Sequence, residues 1–122
     1  MKPGKIGIAR IVDATGYSIK GLGAAWKHEA AFRQEVALLA ILSIVAYCLP
    51  VGVVERVLMI GSVAIVVIVE LLNSAIEAVV DRVGSEWHEL SGRAKDIGSA
   101  AVLVALLLAL FTWGSIIVEQ LV

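Results

Sequence analysis

From Ile97 to Val118 the chain carries no charged residue. As a helix this run is about 33 Å long, slightly more than the ~30 Å hydrocarbon core of a bilayer. No other feature narrows the fold so much, because a continuous apolar run of this length is a membrane-crossing helix. Composition points the same way. Of 122 residues, 60% are hydrophobic, and the mean hydropathy is +0.95. A water-soluble domain of this size cannot bury so much apolar side chain.

Two further spans follow from the same reasoning. The first runs from about Ala30 to Leu49, with Pro50 and Gly52 marking a tight turn after it. Its charge-free part, Val36 to Leu49, is only ~21 Å of helix. The span therefore draws in Ala30, Ala31 and Phe32, and the long side chains of Arg33, Gln34 and Glu35 snorkel towards one interface. The second starts near Val53 and runs to about Val80. Residues 6–28 read as an amphipathic helix: Ile8, Ile11, Val12, Ile19, Leu22 and Trp26 follow helical spacing, apart from Arg10, Asp13, Lys20 and Lys27. Such a basic segment with a tryptophan suits an anionic lipid surface. Gly16, Gly21 and Gly23 weaken it as a helix. It lacks the apolar core of a cleavable leader.

The reading is one all-α membrane domain over residues 1–122. It has an amphipathic surface helix (6–28), transmembrane helices at 30–49, 53–80 and 97–118, and a charged loop at 81–96. On the third span Gly98, Ala101, Ala105 and Ala109 form a small-residue stripe that permits close helix approach. Phe111 and Trp113 are expected at the far interface.

Orientation follows from the ten lysines and arginines. Lys2, Lys5, Arg10, Lys20, Lys27 and Arg33 precede the first span. Arg82, Arg93 and Lys95 follow the second. Only Arg56 lies on the opposite face. The positive-inside rule then predicts a cytoplasmic N-terminus and 81–96 loop, and an external C-terminus.

The second span ends unusually. Val57 to Val69 is free of charge, and then Glu70, Asn73, Ser74, Glu77 and Asp81 appear on the same apolar helix. At about 100° per residue, Glu77 lies within about 20° of Glu70, and Asn73 within about 60°. Leu72, Ala75, Ile76 and Val79 take the other side. Glu70 is ~27 Å along the helix from Val53, and Glu77 lies ~10 Å beyond it. Glu70 is thus expected at the inner edge of the hydrocarbon and Glu77 among the headgroups or outside them. A carboxylate in apolar surroundings needs a partner, a ligand or water.

Nearly all ionisable groups gather on that inner face: Glu29, Glu35, Glu70, Glu77, Asp81, Glu86, Glu89 and Asp96, with Arg10, His88 and Lys95 among them. Apart from Glu55 and Arg56 at the outer start of the second span, the outer halves of the spans are empty of charge, which argues against a transmembrane ion path or a proton-coupled exporter. The arrangement suits chemistry between a cytosolic molecule and a group at headgroup depth. The single cysteine, Cys48, excludes an intrachain disulfide. No phosphate-cradling G-x-x-x-x-G-K-[ST] loop and no protein-kinase motif set is present. Lipid-directed phosphoryl transfer is one option among several on these grounds.

The stretch Glu70-Leu71-Leu72-Asn73-Ser74-Ala75-Ile76-Glu77-Ala78-Val79-Val80-Asp81 resembles the signature of the small bacterial membrane diacylglycerol kinases, E-x-[LIVM]-N-[ST]-[SA]-[LIV]-E-x-x-[VI]-D, at every fixed position. Residues 30–35 (Ala-Ala-Phe-Arg-Gln-Glu) and 88–96 (His-Glu-Leu-Ser-Gly-Arg-Ala-Lys-Asp) also resemble that family, particularly its Gram-negative branch. The resemblance covers about residues 10–115. Ile19 and His28 stand where the family usually has tryptophan and asparagine, and Trp87 where it usually has tyrosine.

The resemblance implies a homotrimer in the bacterial inner membrane, its C-terminus periplasmic, with active sites shared between subunits. The implied reaction moves the γ-phosphate of MgATP to the free hydroxyl of diacylglycerol, giving phosphatidic acid. Carried over, Glu70 is the catalytic base, Glu29 and Glu77 hold Mg²⁺, and Asn73 and Asp81 support the site. Arg10, Tyr17, Glu29, Glu77, Glu86, Trp87, His88, Lys95 and Asp96 meet the nucleotide. Arg10, Glu35, Glu70 and Ser99 meet the lipid. Undecaprenol kinases, which share the signature, are the alternative enzyme. Bland roles stand beside these: Glu70 and Asn73 as interhelical hydrogen-bonding groups, Glu29 as an i,i+4 partner of Arg33, Lys95 and Asp96 as interface anchors.

Overall fold

The computed structural model describes residues 4–84 and 86–122. Lys2, counted above among the inner-face cations, lies outside them. The described residues form four helices: α1 (Gly7–His28), α2 (Ala30–Cys48), α3 (Val53–Val83) and α4 (Glu89–Leu121). The last three are each long and apolar enough to cross a membrane. The expected spans lie inside them except for Leu49, which caps α2, and α1 covers the expected amphipathic segment from Gly7 on. Its three interior glycines do not break it, and most of its apolar side chains stay exposed.

The expected loop at 81–96 is largely helical. Residues 81–83 close α3, and α4 already begins at Glu89. Gly84 follows α3 with φ 171, an extended conformation. Helix need not stop where the bilayer stops. At 1.5 Å per residue α3 and α4 are each about 46–50 Å long, well beyond the hydrocarbon core.

Helix α3 is the centre of the molecule, packed between α2 and α4. Its buried residues are Met59, Ser62, Val63, Val66, Glu70 and Ser74. Steps of three and four place them on one stripe. The opposite face, including Ile68, Leu72, Ile76 and Val79, is exposed. In water that face would be an aggregation surface, but against lipid or a partner helix it is ordinary. On α4 only Gly98 and Ala105 are buried. Ala109 is half-buried and Ala101 is exposed, so the small-residue stripe serves the α3 contact at some of its positions only.

Side chains close the two ends. The α1–α2 joint is a single residue, Glu29, at φ −118 and ψ 103, with helix on both sides. Arg33 turns back from α2 and donates to the carbonyls of Trp26, at 2.5 Å, and Lys27, at 3.4 Å. These are last-turn acceptors that α1 leaves unsatisfied. Glu29 is therefore not the partner of the Arg33 guanidinium. At the other end, Arg56 donates to the carbonyls of Ala46, Leu49 and Val51. Trp113 is half-buried, and its Nε1 donates to the Met59 carbonyl at 2.8 Å. It joins α4 to α3 rather than serving only as an interfacial ring.

Candidate functional site

The inner end of α3 gathers the polar stripe. Glu70 is only 6% exposed although it carries a carboxyl group. It faces the rest of the protein because it continues the Met59–Val63–Val66 stripe by one further turn. Ser74, one turn on, donates its hydroxyl to Glu70 Oε2 at 3.4 Å. Asn73 Nδ2 donates to Glu77 Oε1 at 3.2 Å. Both bonds join residues four apart, so the helix itself builds them.

Other elements complete the cluster. Glu35 on α2 brings its carboxyl against that of Glu70, and Glu29 and Glu77 are near enough for their charges to act on Glu70. Glu70 thus lies within electrostatic range of three other carboxyl groups where α1, α2 and α3 meet. Glu35 Oε2 and Asn73 Oδ1 are buried without a hydrogen-bond partner among the described residues. A groove of about 620 Å³, mostly apolar, runs between α1 and α3. Ser18, Leu22, Ala25 and Glu29 line one side, with Leu71, Ser74 and Ala75 on the other.

A second cluster sits where α3 meets the start of α4. Lys95 Nζ lies 2.7 Å from Asp81 Oδ1. The charge-free part of α4 begins at Ile97, so Lys95 is outside the hydrocarbon. Its hydrogen bond and attraction to Asp81 hold its ammonium above the ordinary lysine range of 10.5. Asp81, Glu86, Trp87, His88, Ser91 and Lys95 line a cavity of about 380 Å³. His88 caps α4, its Nδ1 accepting from the Leu90 N–H at 3.1 Å. Trp87 is 85% exposed.

The predicted residues therefore divide. Glu29, Glu35, Glu70, Asn73 and Glu77 come together, as do Asp81, Glu86, Trp87, His88 and Lys95. Asp96 and Ser99 are exposed on α4, and Arg10 and Tyr17 are exposed on α1. Among the described residues, none of these four makes a side-chain hydrogen bond or ion pair with another predicted site residue. Two groups escaped the sequence reading. Ser74 as the hydrogen-bond donor to Glu70 was signalled by its i+4 spacing. The α1–α3 groove had no such signal, since it depends on how two helices cross.

Prokaryotic diacylglycerol kinase is the family whose model matches this chain, over residues 16–117. The chain belongs to that family. It is 62% identical to the diacylglycerol kinase of Escherichia coli K12 over 107 residues, covering 88% of each chain. It is 54% identical to the Pseudomonas aeruginosa diacylglycerol kinase over 114 residues, covering 93% of each. With the Haemophilus influenzae diacylglycerol kinase it shares 50% identity over 111 residues, covering 91% of this chain and 94% of that one. The matched segment contains both polar clusters, the first two spans and all but the last few residues of the third. A kinase of this family uses ATP, so the site must accommodate a polyphosphate and the divalent cation that accompanies it.

Among the described residues, no three histidine, cysteine or carboxylate side chains converge closely enough to form a closed metal site. A divalent cation carried in by a nucleotide takes one or two carboxylates and fills its shell with phosphate oxygens and water. Glu29 and Glu77 carry carboxylate oxygens, the kind of hard donor that such a cation accepts.

Proposed function

We propose that the chain is an ATP-dependent lipid kinase that phosphorylates the free hydroxyl of 1,2-diacylglycerol to give phosphatidic acid, acting at the cytoplasmic face of the bacterial inner membrane. The observation that carries this reading is the buried Glu70 at the inner end of an apolar helix, in a chain of the diacylglycerol kinase family. A base at that depth meets a glycerol hydroxyl without drawing the lipid out of the bilayer. The N-terminus and the connection between α3 and α4 face the cytoplasm on this reading, as the basic residues require.

Glu70 removes the proton from the lipid hydroxyl. The oxygen then forms a bond to the γ-phosphorus as the bond from that phosphorus to the β–γ bridging oxygen breaks, and ADP leaves. The Ser74 hydroxyl holds one oxygen of Glu70 and so fixes the direction of the other. Glu35 lies beside Glu70 on the lipid side, with Arg10 and Ser99. Glu29 and Glu77 would hold Mg²⁺, with Glu77 oriented by Asn73. The ion neutralises phosphate charge when bound. Lys95, steadied by Asp81, meets the nucleotide together with Arg10, Tyr17, Glu86, Trp87, His88 and Asp96. The apolar α1–α3 groove leads acyl chains past Ser74.

Exposed residues from α1 and α4 complete such a site most simply when a second copy packs against the first, and a homotrimer with shared sites is the arrangement proposed. The test offers labelled ATP with diacylglycerol and undecaprenol in separate mixed micelles. Label in phosphatidic acid is expected. A strong preference for the polyprenol would overturn the substrate assignment.

A further inference from the structure

Gly98 lies on α4 directly opposite Asn73 of α3. It is buried. A Cβ added there would run into Asn73 Oδ1, with the amide carbon at 3.3 Å. The oxygen thus occupies the space that any other residue would fill, and it faces the Cα–H of Gly98, a weak donor of the kind common where helices pack closely. This oxygen has no conventional hydrogen-bond partner among the described residues. The other end of the same amide, Nδ2, donates to Glu77 Oε1.

A carboxamide is planar, so its oxygen and nitrogen cannot be placed independently. Seating Oδ1 against Gly98 turns Nδ2 towards Glu77. A methyl group at position 98 would drive the oxygen out of its seat. The amide would rotate, and the donor would leave the Glu77 carboxylate.

We infer that Gly98 is a positioning residue: by admitting the Asn73 oxygen, it aims the Asn73 amide at Glu77 and fixes the orientation of that carboxylate. The consequence for metal binding rests on the reading of Glu77 as a Mg²⁺ ligand. The geometric claim does not. Gly98 touches neither ATP nor lipid in this account. Its effect passes through one side chain.

Asn73 is the only asparagine in the chain, which makes the test direct. Protein labelled with ¹⁵N-asparagine and held in detergent micelles gives one side-chain amide pair. Gly98→Ala is expected to shift that pair, as Glu77→Gln does by weakening the acceptor. It is also expected to raise the Mg²⁺ concentration for half-maximal phosphoryl transfer by about tenfold, the usual scale when a group orienting a metal ligand is disturbed. In an Asn73→Ala background the same glycine substitution should cost no further stability, because the remaining Asn73 Cβ lies 4.0 Å from the new methyl position, an ordinary contact. If Gly98→Ala fails to fold but the double variant folds, the amide is the obstruction and the inference stands. An unmoved Asn73 signal, an unchanged Mg²⁺ requirement, an equal stability loss in both backgrounds, or failure of both variants to fold would each overturn it. Failure of the lipid-kinase reading looks different: the wild-type protein transfers no phosphate, whatever the Asn73 signal does.

Discussion

Asp81 on the last turn of α3 and Lys95 on the second turn of α4 face each other at 2.7 Å, across the connection between the two helices. The pair is solvated, so its value is positional: it holds a cation over the cavity lined by Glu86, Trp87 and His88. If that cavity receives the nucleotide, Asp81→Asn should raise the KM for MgATP several-fold and leave the thermal midpoint nearly unchanged, because exposed pairs add little stability. Steady-state kinetics with varied MgATP check this, and an unchanged KM counts against it. The pH dependence has a definite sign. A lysine held above its ordinary value contributes fully below that value, and the contribution is lost only as pH rises through the higher folded value. The KM effect of Asp81→Asn should therefore show no Lys95-linked change between about pH 6 and 9, below the ordinary lysine range.

The Asn73–Glu77 contact leads to a prediction about metal. Chelation of Mg²⁺ should abolish transfer. Glu77→Gln keeps size and hydrogen-bonding capacity but loses the charge. It should raise the Mg²⁺ requirement by at least about tenfold, with a smaller effect on the KM for lipid. Titrating Mg²⁺ at fixed ATP and fixed lipid separates the two, and an unchanged metal dependence would remove Glu77 from the ligand set.

Arg56 concerns the opposite face. Helix α2 ends without a basic residue in its last turn. The guanidinium reaches back from α3 to Ala46, Leu49 and Val51, at 3.0, 3.3 and 3.1 Å, and lies over the Tyr47 ring at 5.2 Å from its centroid. Arg56→Ala should cost about 2 kcal/mol, roughly the worth of a hydrogen-bonded charged group. Arg56→Lys should recover less than half, since an ammonium cannot reproduce the planar fork. Unfolding in micelles measures both. Kinase activity at permissive temperature should persist, because the carboxylates lie at the other end of α3.

Much of this architecture is legible in the residues themselves. Hydrophobic runs and the Pro50–Gly52 turn locate α1, α2 and α3 to within three residues and find α4, which starts well before Ile97. The i, i+3, i+4 pattern from Glu70 to Asp81 identifies one polar face, and the exposure of Leu72, Ile76 and Val79 matches the opposite one. What depends on a single helix reads well. Contacts between helices do not, because they depend on crossing angle and rotation. Nothing local to Trp113 points to the Met59 carbonyl, and nothing local to Arg33 says that it will cap α1 in preference to pairing with Glu29. Gly98 reads as a packing residue until Asn73 is seen opposite it. The 81–96 segment misled for another reason. Charge there reported contact with water, and a solvated segment can still be helical.

The central claim is that Glu70 is the base that activates the lipid hydroxyl. Its most direct test is the rate of label transfer from γ-labelled ATP to diacylglycerol by Glu70→Gln, in protein whose helix content and oligomeric state match the wild type. Glutamine preserves the shape and the Ser74 contact but cannot accept the proton. The account predicts transfer reduced to background, with MgATP still bound. Full transfer by a folded Glu70→Gln protein would contradict it.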